Sequence, residues 1–383
     1  MNLVEVVAVY PPYRSGIGAV ARDNARMAAE GGWNVTVCTP MYPSLRTRAK
    51  RSEMHNRVCI ERLQPLLSYG NAAVMRGLFS RLKKADRIHL HYPCIGSEWI
   101  VALAAALYRK KLFITYHHDL IGKGMFRLIF SLYTALVLPI MMRVAHHVFV
   151  TSQDYADQSQ CARYLKGTKG KYSVLPCAVD TNTFFPRDKN ERVLTRLNIP
   201  PCSTVILFVG GLDDAHYFKG VDLLIDAFAP LVQSFSHCHL VIVGDGNLKN
   251  QYKEHAARLS CGNHIHFAGS VSDEELPLYY ASADVCVLPS LDESEAFCIA
   301  LIEARACAKP VIASRIRGVR SVVRDGVDGI LISPRSCAKL TAALAALLAD
   351  AGKSSAMGRA ARKNCEEQYA FEHIGKIFVN HLL

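Results

Sequence analysis

The feature that most constrains this chain is a repeated alternation: a short apolar run fit for a buried strand, a closing glycine, proline or polar residue, then a helical pattern. In the first half the runs are Leu3 to Tyr10, Trp33 to Thr39, Arg87 to His91, Leu112 to Tyr116 and His147 to Thr151. In the second half they are Val205 to Gly210, His239 to Val243, Ile265 to Ala268, Val285 to Leu288, Pro310 to Ser314 and Gly329 to Ile332. Helical patterns fall between or after them, at Ala19 to Glu30, from Val221, and at Leu248 to Leu259, Asp273 to Ser282, Cys337 to Ala349 and Ser354 to Gln368. Repeated βα units predict parallel sheets with ligands at the carboxyl ends of the strands. At 383 residues the chain exceeds what one hydrophobic core serves, so two such α/β domains are expected. The segment LPCAVDTNTFFP, punctuated by Pro176, Asp180 and Pro186, marks the exit from the first.

The most informative stretch of the second half runs from Val285 to Pro310. After the strand closes at Pro289 and Ser290, the acids Asp292, Glu293 and Glu295, with Ser294 among them, crowd the start of a helix marked by Ile299, Leu301 and Ile302. A helix beginning there aims unpaired N–H groups and its positive dipole end into the crevice beyond the strand, a place suited to phosphate. Glu295 at its mouth and Glu303 two turns in would lie about 10 Å apart along the axis, the reach of a sugar nucleotide. The same acids also suit an ordinary helix start, because Ser290 and Glu293 fit a capping box.

Other candidates are individually weaker. Strand, turn (Ser15, Gly16, Gly18) and helix at the N-terminus form a phosphate entrance of Rossmann type, with no acidic residue evident on a second strand end. Lys219, just before the helix from Val221, could address phosphate together with that helix end, or stand as an ordinary exposed lysine. Gly318 could bring backbone N–H groups toward a nucleotide. His89, His91, His117, His118, His146 and His147 lack i, i+4 spacing and an accompanying carboxylate cluster, so no metal site is expected.

The net charge of +12 is uneven: through Phe185 there are 24 Lys+Arg against 11 Asp+Glu, and in the remainder 21 against 22. The basic first half suits anionic partners, lipid headgroups or a lipid diphosphate, with nucleic acid as the alternative. A charge run such as Arg46 to Arg51 with Arg57 and Arg62 is ordinarily a solvated loop. Thirteen cysteines without a C-x-x-C pair argue for reduced thiols and a cytoplasmic setting, and MNLVEVVAVYPPY reads as a first strand and not a signal peptide. The uncharged run Leu128 to Met142, fifteen residues containing Pro139, is short for a membrane span. It reads as a buried helix, or as a membrane-facing helix beside Arg109, Lys110, Lys111, Lys123 and Arg127.

In order, SGIG, TYHHD, AVDTNTF, FKG and EAFCIALIE resemble the motifs of retaining glycosyltransferases of the GT-B fold, glycosyltransferase family 4 (glycosyl transferases group 1), and the resemblance covers most of the chain. It implies two Rossmann-like domains facing across a cleft: residues 1–186 for the acceptor, 187–366 for the nucleotide sugar, and 367–383 a terminal helix returning to the first. The implied reaction moves a sugar from a nucleotide diphosphate donor, a UDP- or GDP-sugar, to an acceptor hydroxyl with retention, assisted by the leaving phosphate. Neither metal nor cofactor is implied beyond the donor. The implied partners are the donor and a sugar or lipid-linked sugar acceptor. The implied setting is surface polysaccharide or glycolipid assembly in the cytoplasm, at the inner face of the membrane, and no nucleic acid is expected.

Carried over by position, Glu295 meets the donor sugar, Glu303 the ribose and Lys219 the diphosphate. Gly16 and Gly18 keep two glycines of the N-terminal loop, Ser15 replacing the first. Phe297, Cys298 and Ile299 belong to the donor loop. His117 takes the histidine position of a Thr-x-His-x-Asp segment beside the donor sugar, with His118 in the variable place. Three positions depart from the pattern. Cys298 replaces a glycine, which narrows close approach of a phosphate; Ala178 replaces another; and Gly211 stands where an arginine is usual, with His216 or the basic first half as substitutes. The alternatives are an epimerase or phosphorylase of the same fold, a nicotinamide dehydrogenase, and a non-catalytic sugar-nucleotide-binding protein.

Overall fold

A computed structural model describes residues 1–45, 47, 49–122, 124–166, 170–259 and 261–383. The chain divides into two units, Met1–Ala178 with Phe371–Leu383, and Val179–Ala370. The border therefore falls earlier than residue 186, because the intervening residues are bonded to the second unit. Val179 bridges Ala370 in parallel, Arg362 donates to the Phe184 carbonyl at 2.9 Å, and the Phe184 ring meets Tyr280 edge-on at 5.7 Å.

The first unit is built on β1 (Asn2–Val6), β2 (Asn34–Pro40), β3 (Ser52–His55), β4 (Val58–Leu63), β5 (Pro65–Tyr69), β6 (Ala72–Met75), β7 (Arg87–Tyr92), β8 (Lys111–Tyr116), β9 (His147–Val150) and β10 (Tyr172–Val174). Eight of these form one sheet in the order β10-β9-β8-β7-β1-β2-β4-β3, while β5 and β6 pair as a separate hairpin. Every neighbour in the large sheet is parallel except β3 against β4. The core of this unit combines Ala21, Ala25 and Ala28 of the Gly16–Glu30 helix with Phe371, Ile374 and Phe378 of the terminal helix Phe371–Leu382. Small residues on the first helix let the second lie close over the sheet, so the terminal segment is built into the first unit.

Two expectations about this unit are corrected. Of the basic run, Arg46 and Arg48 lie outside the described residues, but Arg62 is no solvated loop residue. It sits inside β4, buried, with Glu53 at 2.6 Å and the carbonyls of Lys50 and Pro11 at 2.9 and 2.7 Å. Secondly, the apolar segment forms a 20-residue helix, Met125–Val144, of mean hydropathy 1.8, long and apolar enough by length and composition to cross a membrane. It is not a buried helix: only 28% of its most apolar window is buried, and Met125, Leu128, Leu132 and Leu136 face outward. Lys123, one of the basic neighbours of this helix, lies outside the described residues.

The second unit carries β11 (Thr204–Val209), β12 (Cys238–Val243), β13 (Ile265–Gly269), β14 (Val285–Leu288), β15 (Val311–Ser314) and β16 (Gly329–Ile332). They form one all-parallel sheet in the order β13-β12-β11-β14-β15-β16. In each sheet the strand order reverses beside the unit's first strand, between β1 and β7 and between β11 and β14. Loops on the two sides of such a point diverge and leave a crevice at the carboxyl ends of the strands.

Candidate functional site

At the β11/β14 reversal two loops bring the candidate residues of the second unit together. After β11 the chain makes a 3-10 turn, Asp214–Lys219, capped by Asp213, whose carboxylate accepts from the Ala215 N–H at 2.9 Å. Gly220 then turns it into the Val221–Phe228 helix at φ +73°, and a Cβ here would lie 2.3 Å from the Pro289 carbonyl oxygen. The loop after β14 thus runs directly over Gly220. Leu291 N–H donates to the Phe218 carbonyl at 2.6 Å, fastening one loop to the other. As a result, Lys219 Nζ meets Glu295 Oε2 at 2.7 Å, with both side chains about nine-tenths buried. Burial is the largest single influence and would lower the Lys219 pKa; the charge and hydrogen bond of Glu295, with Cys298 and Asp213 nearby, together outweigh it and hold the ammonium above its ordinary value.

The acids before the helix have divided tasks. Asp292 accepts from Tyr217 Oη at 3.2 Å and from the Ser294 N–H at 3.1 Å, while Glu293 pairs with Arg317 at 2.8 Å. These tertiary contacts consume the loop, so the helix begins only at Ile299, and the capping box does not form. Cys298 is the N-cap without a side-chain cap bond, and the buried Ser290 hydroxyl makes no hydrogen bond to any described residue. Glu303 lies four residues beyond Ile299, about 6 Å along the axis. Tyr280, almost fully buried, donates to Glu303 Oε2 at 2.7 Å. Burial, and then the Glu303 charge, push the Tyr280 phenol well above its ordinary value, so it remains a donor that orients this carboxylate.

The departures from the motif acquire physical content here. A Cβ on Gly211 would fall 2.7 Å from Nδ1 of His216, so the His216 ring occupies the space that a side chain at 211 would need. That ring is tied to Asp213 at 2.8 Å. Cys298 is buried beside the ion pair, its thiol pushed up to about 12 by burial and then by Glu295, which leaves it unreactive. Phe297 lies edge-on to Tyr369, ring centroids 6.2 Å apart. Gly318 heads the short turn Val319–Ser321 at φ +80°.

At the β1/β7 reversal of the first unit, Ser15 caps the Gly16–Glu30 helix, its hydroxyl accepting from the Gly18 N–H at 2.9 Å. The serine that replaces a glycine therefore occupies one of the helix-end donors. His117 follows β8 directly and is 6% exposed. Asp119 holds the turn that presents it, accepting from Tyr116 Oη at 2.6 Å and the Gln160 N–H at 3.0 Å. Nε2 of His117 lies 2.9 Å from Nδ1 of His91. Burial, with the neighbouring histidines, drives the His117 pKa well below its ordinary value, so the ring is neutral.

Sequence reasoning missed Glu5. The sheet order sets β1 beside β7 and pairs Glu5 with His89, and its carboxylate lies 3.2 Å from His89 Nδ1 and 3.5 Å from His91 Nε2. No carboxylate cluster is expected from the sequence beside these histidines; one carboxylate does join them, and ligating atoms of Glu5, His89 and His91 fall within 4.8 Å of one another. The one available signal was a charged residue inside an otherwise apolar first strand. In the fold His89 is turned to Thr115 Oγ1 at 2.8 Å and to Glu5, so internal partners already use both its nitrogens.

The chain is similar to known proteins over most of its length. The description "Glycosyltransferase Family 4" matches residues 14–183 and "Glycosyl transferases group 1" matches residues 190–364, together nearly the whole chain. A D-inositol 3-phosphate glycosyltransferase of Geodermatophilus obscurus is 35% identical over 185 residues, 46% of this chain and 40% of the relative. A GDP-mannose-dependent alpha-(1-6)-phosphatidylinositol monomannoside mannosyltransferase of Mycolicibacterium smegmatis is 32% identical over 202 residues, 51% and 52%. The chain spans about half the length of the curated relatives it matches. Among solved structures, Anabaena HepE in complex with UDP and glucose superposes with a TM-score of 0.80 at 19% identity, covering 99% of this chain and 98% of that one. Sucrose-phosphate synthase from Thermosynechococcus elongatus gives 0.75 at 22%, covering 100% and 98%. Two parallel-sheet Rossmann-like units, with both halves matched in order, make this chain a glycosyltransferase of family 4, group 1, with the GT-B fold.

Proposed function

We propose that the protein transfers a sugar, with retention of configuration, from a UDP- or GDP-sugar to a hydroxyl of a sugar or lipid-linked sugar acceptor in surface polysaccharide or glycolipid assembly. The observation that carries this reading is the buried Lys219–Glu295 pair at the strand-order reversal, 2.7 Å apart. Lys219 offsets charge on the departing diphosphate, Glu295 takes sugar hydroxyls, and Glu303, oriented by Tyr280, takes the ribose. Gly16, Gly18, Phe297, Cys298 and Ile299 line the donor in this reading, and His117 serves the donor sugar. Neither metal nor cofactor is required. The relatives named for GDP-mannose and inositol phosphate support a nucleotide-sugar donor and a polar, phosphate-bearing acceptor class.

The acceptor side is the anionic face of the cytoplasmic membrane. Outward-facing Leu128, Leu132 and Leu136 recur at helical spacing on one stripe, and Trp99, Leu103 and Leu107 do so on the neighbouring Glu98–Leu107 helix. The hairpin joins them where Tyr69 stacks on Phe126, centroids 6.2 Å apart. This apolar face belongs to the half of the chain that carries the excess of Lys and Arg, which is the combination an interfacial anchor needs.

A thermal-shift panel of UDP-, GDP-, ADP- and CMP-sugars tests the donor, since a selective ligand stabilises by mass action. One base should stand out, and Glu303→Ala should remove the selectivity; an unchanged shift in that variant removes the ribose assignment. Exposed Trp99 reports the membrane face, and its emission should shift to the blue with vesicles containing anionic phospholipid but not with phosphatidylcholine alone.

A further inference from the structure

Thr115, His89, Glu5, His91 and His117 form a single polar chain through the first sheet. Glu5, His89 and His91 are fully buried, and His117 stands at its surface end. The contacts, in order, are Thr115 Oγ1 to His89 Nε2 at 2.8 Å, His89 Nδ1 to Glu5 Oε1 at 3.2 Å, Glu5 Oε2 to His91 Nε2 at 3.5 Å, and His91 Nδ1 to His117 Nε2 at 2.9 Å. Three adjacent strands supply it: Glu5 from β1, the two histidines from β7, and Thr115 from β8, which His117 follows directly. Nothing in the reaction as described so far uses Glu5 or His91, although burying a carboxylate is costly unless it is bonded.

The chain has a direction that hydrogen-bonding capacity dictates. An ionised carboxylate only accepts, and a neutral imidazole carries one N–H and one bare nitrogen. Glu5 is ionised: desolvation is the largest influence and opposes the charge, but His89, bonded at 3.2 Å, and His91, 3.5 Å away, together outweigh it and bring the carboxyl below its ordinary value. A bare His91 Nε2 facing that carboxylate at 3.5 Å would set lone pair against lone pair, and neither atom has a hydrogen-bond partner among the described residues to offset that repulsion. His91 therefore carries its proton on Nε2 and is bare at Nδ1. The single proton between the two rings then belongs to His117 Nε2, which leaves His117 Nδ1 bare. That atom makes no hydrogen bond to any described residue.

We propose that Glu5, acting through His91, fixes His117 in the Nε2–H tautomer and so presents its bare Nδ1 as a hydrogen-bond acceptor to a sugar hydroxyl. The second half of that statement rests on the reading above that His117 serves the donor sugar. Glu5 and His91 are positioning residues; His117 is the group that touches substrate. Burial keeps both rings neutral, His91 near 4 through desolvation and then the nearby His89, so the tautomer persists at physiological pH. Neutral His117 cannot donate at Nδ1, so the site selects a substrate atom that donates. A hydroxyl meets this requirement and a deoxy or O-methyl analogue at the same carbon does not.

The test needs no variant to begin. In protein carrying nitrogen-15-labelled histidine, the His117 ring should show the Nε2–H pattern; a proton on Nδ1 overturns the proposal. Glu5→Gln replaces an obligate acceptor by a group that can also donate to His91 Nε2. The His117 signal should then move toward the Nδ1–H form, and an unmoved signal in folded E5Q overturns the assignment of control to Glu5. Transfer by E5Q should lose roughly 2- to 10-fold in kcat, the worth of one hydrogen bond between neutral groups, while binding of UDP or GDP alone is unchanged. A moved tautomer with intact transfer upholds the control by Glu5 and removes His117 from the sugar, which separates failure of the inference from failure of the functional reading. Stoichiometric zinc in the purified protein would overturn the proposal by giving Glu5, His89 and His91 a different task.

Discussion

The two strand-order reversals place their charges differently. In the second unit, Lys219 and Glu295 come from loops beyond the strand ends, each side chain about one-tenth exposed. In the first, Glu5 and His91 come from within strands, with no exposure, and only His117 reaches the end of the sheet. Charges carried on loops can exchange one partner for another when a ligand arrives, because the loop can yield and solvent is near. A charge inside a sheet is held by its register and can only set the polarity of what it touches. One unit is thus equipped to receive an anion, and the other to hold an uncharged group in a fixed protonation state.

The harshest way to break that contrast is to remove the cation of the loop pair. Lys219→Met leaves Glu295 buried and unpaired, which costs about 3–5 kcal/mol in comparable pairs, and under the proposed function it also removes a donor to the diphosphate, worth about 100- to 1000-fold in kcat. The double variant Lys219→Met, Glu295→Gln should regain most of the stability and none of the activity. A double-mutant cycle in urea, run beside the transfer assay, separates the two effects. If Lys219→Met transfers sugar at the parental rate, the second unit does not receive the donor charge through this pair.

A smaller effect sharpens the same comparison at the backbone. Gly220 has φ +73°, and a Cβ there would sit 2.3 Å from a carbonyl oxygen, so Gly220→Ala combines left-handed strain with a backbone clash and should cost more than about 3 kcal/mol. Gly18 lies within a helix, and its added Cβ would meet Ser15 Oγ and the Val9 carbonyl at 3.0 Å. The gain of about 1 kcal/mol in helix propensity offsets that crowding, so Gly18→Ala should be nearly neutral. Thermal midpoints of the two variants check the order; equal losses would mean the first loop is as tightly interlocked as the second.

These two sites also differ in how far the sequence revealed them. The alternation of apolar runs with helical patterns led to two parallel sheets, because a strand buried on both faces leaves a continuous apolar signature. Lys219, Glu295 and Glu303 were legible because they sit in contiguous stretches with recognisable spacing. The start of the Ile299 helix was not, since Asp292 and Glu293 look like helix-start acids but are drawn off to Tyr217 and Arg317, which are distant in sequence. Glu5 was illegible for a related reason. Its partners lie 84 and 86 positions away, and only the β8-β7-β1 order brings them together. Arg62 misled because charged neighbours interrupt the apolar run of β4. The Met125–Val144 helix misled because apolar composition indicates burial or a lipid-facing surface equally well.

The mildest perturbation is a change of pH, and tryptophan emission confines its reading to the first unit, which holds both Trp33 and Trp99. His91 titrates near 4 in the fold and His117 also lies well below its ordinary value, burial being the leading cause in each, while His147 is lowered to about 4 for the same reason. In the unfolded chain these rings take protons near pH 6.5. Below that pH the unfolded state binds protons that the native state refuses, so stability falls as the pH drops from about 6.5 toward 4, by up to about 1.4 kcal/mol per pH unit for each ring. Glu5, lowered by the two adjoining histidines against the effect of its burial, adds to the loss further down; Glu98, raised by burial, opposes it because the native state holds its proton more tightly. The urea midpoint read at tryptophan should therefore be level above pH 7 and decline between 6.5 and 4.5. Histidines lowered in the second unit, His239 and His266, make the far-ultraviolet signal of the whole chain decline as well, so only the tryptophan signal tests the buried chain. His91→Gln should flatten the tryptophan decline, since it removes one refused proton. A decline of unchanged steepness in that variant would mean that His91 is not held neutral beside Glu5.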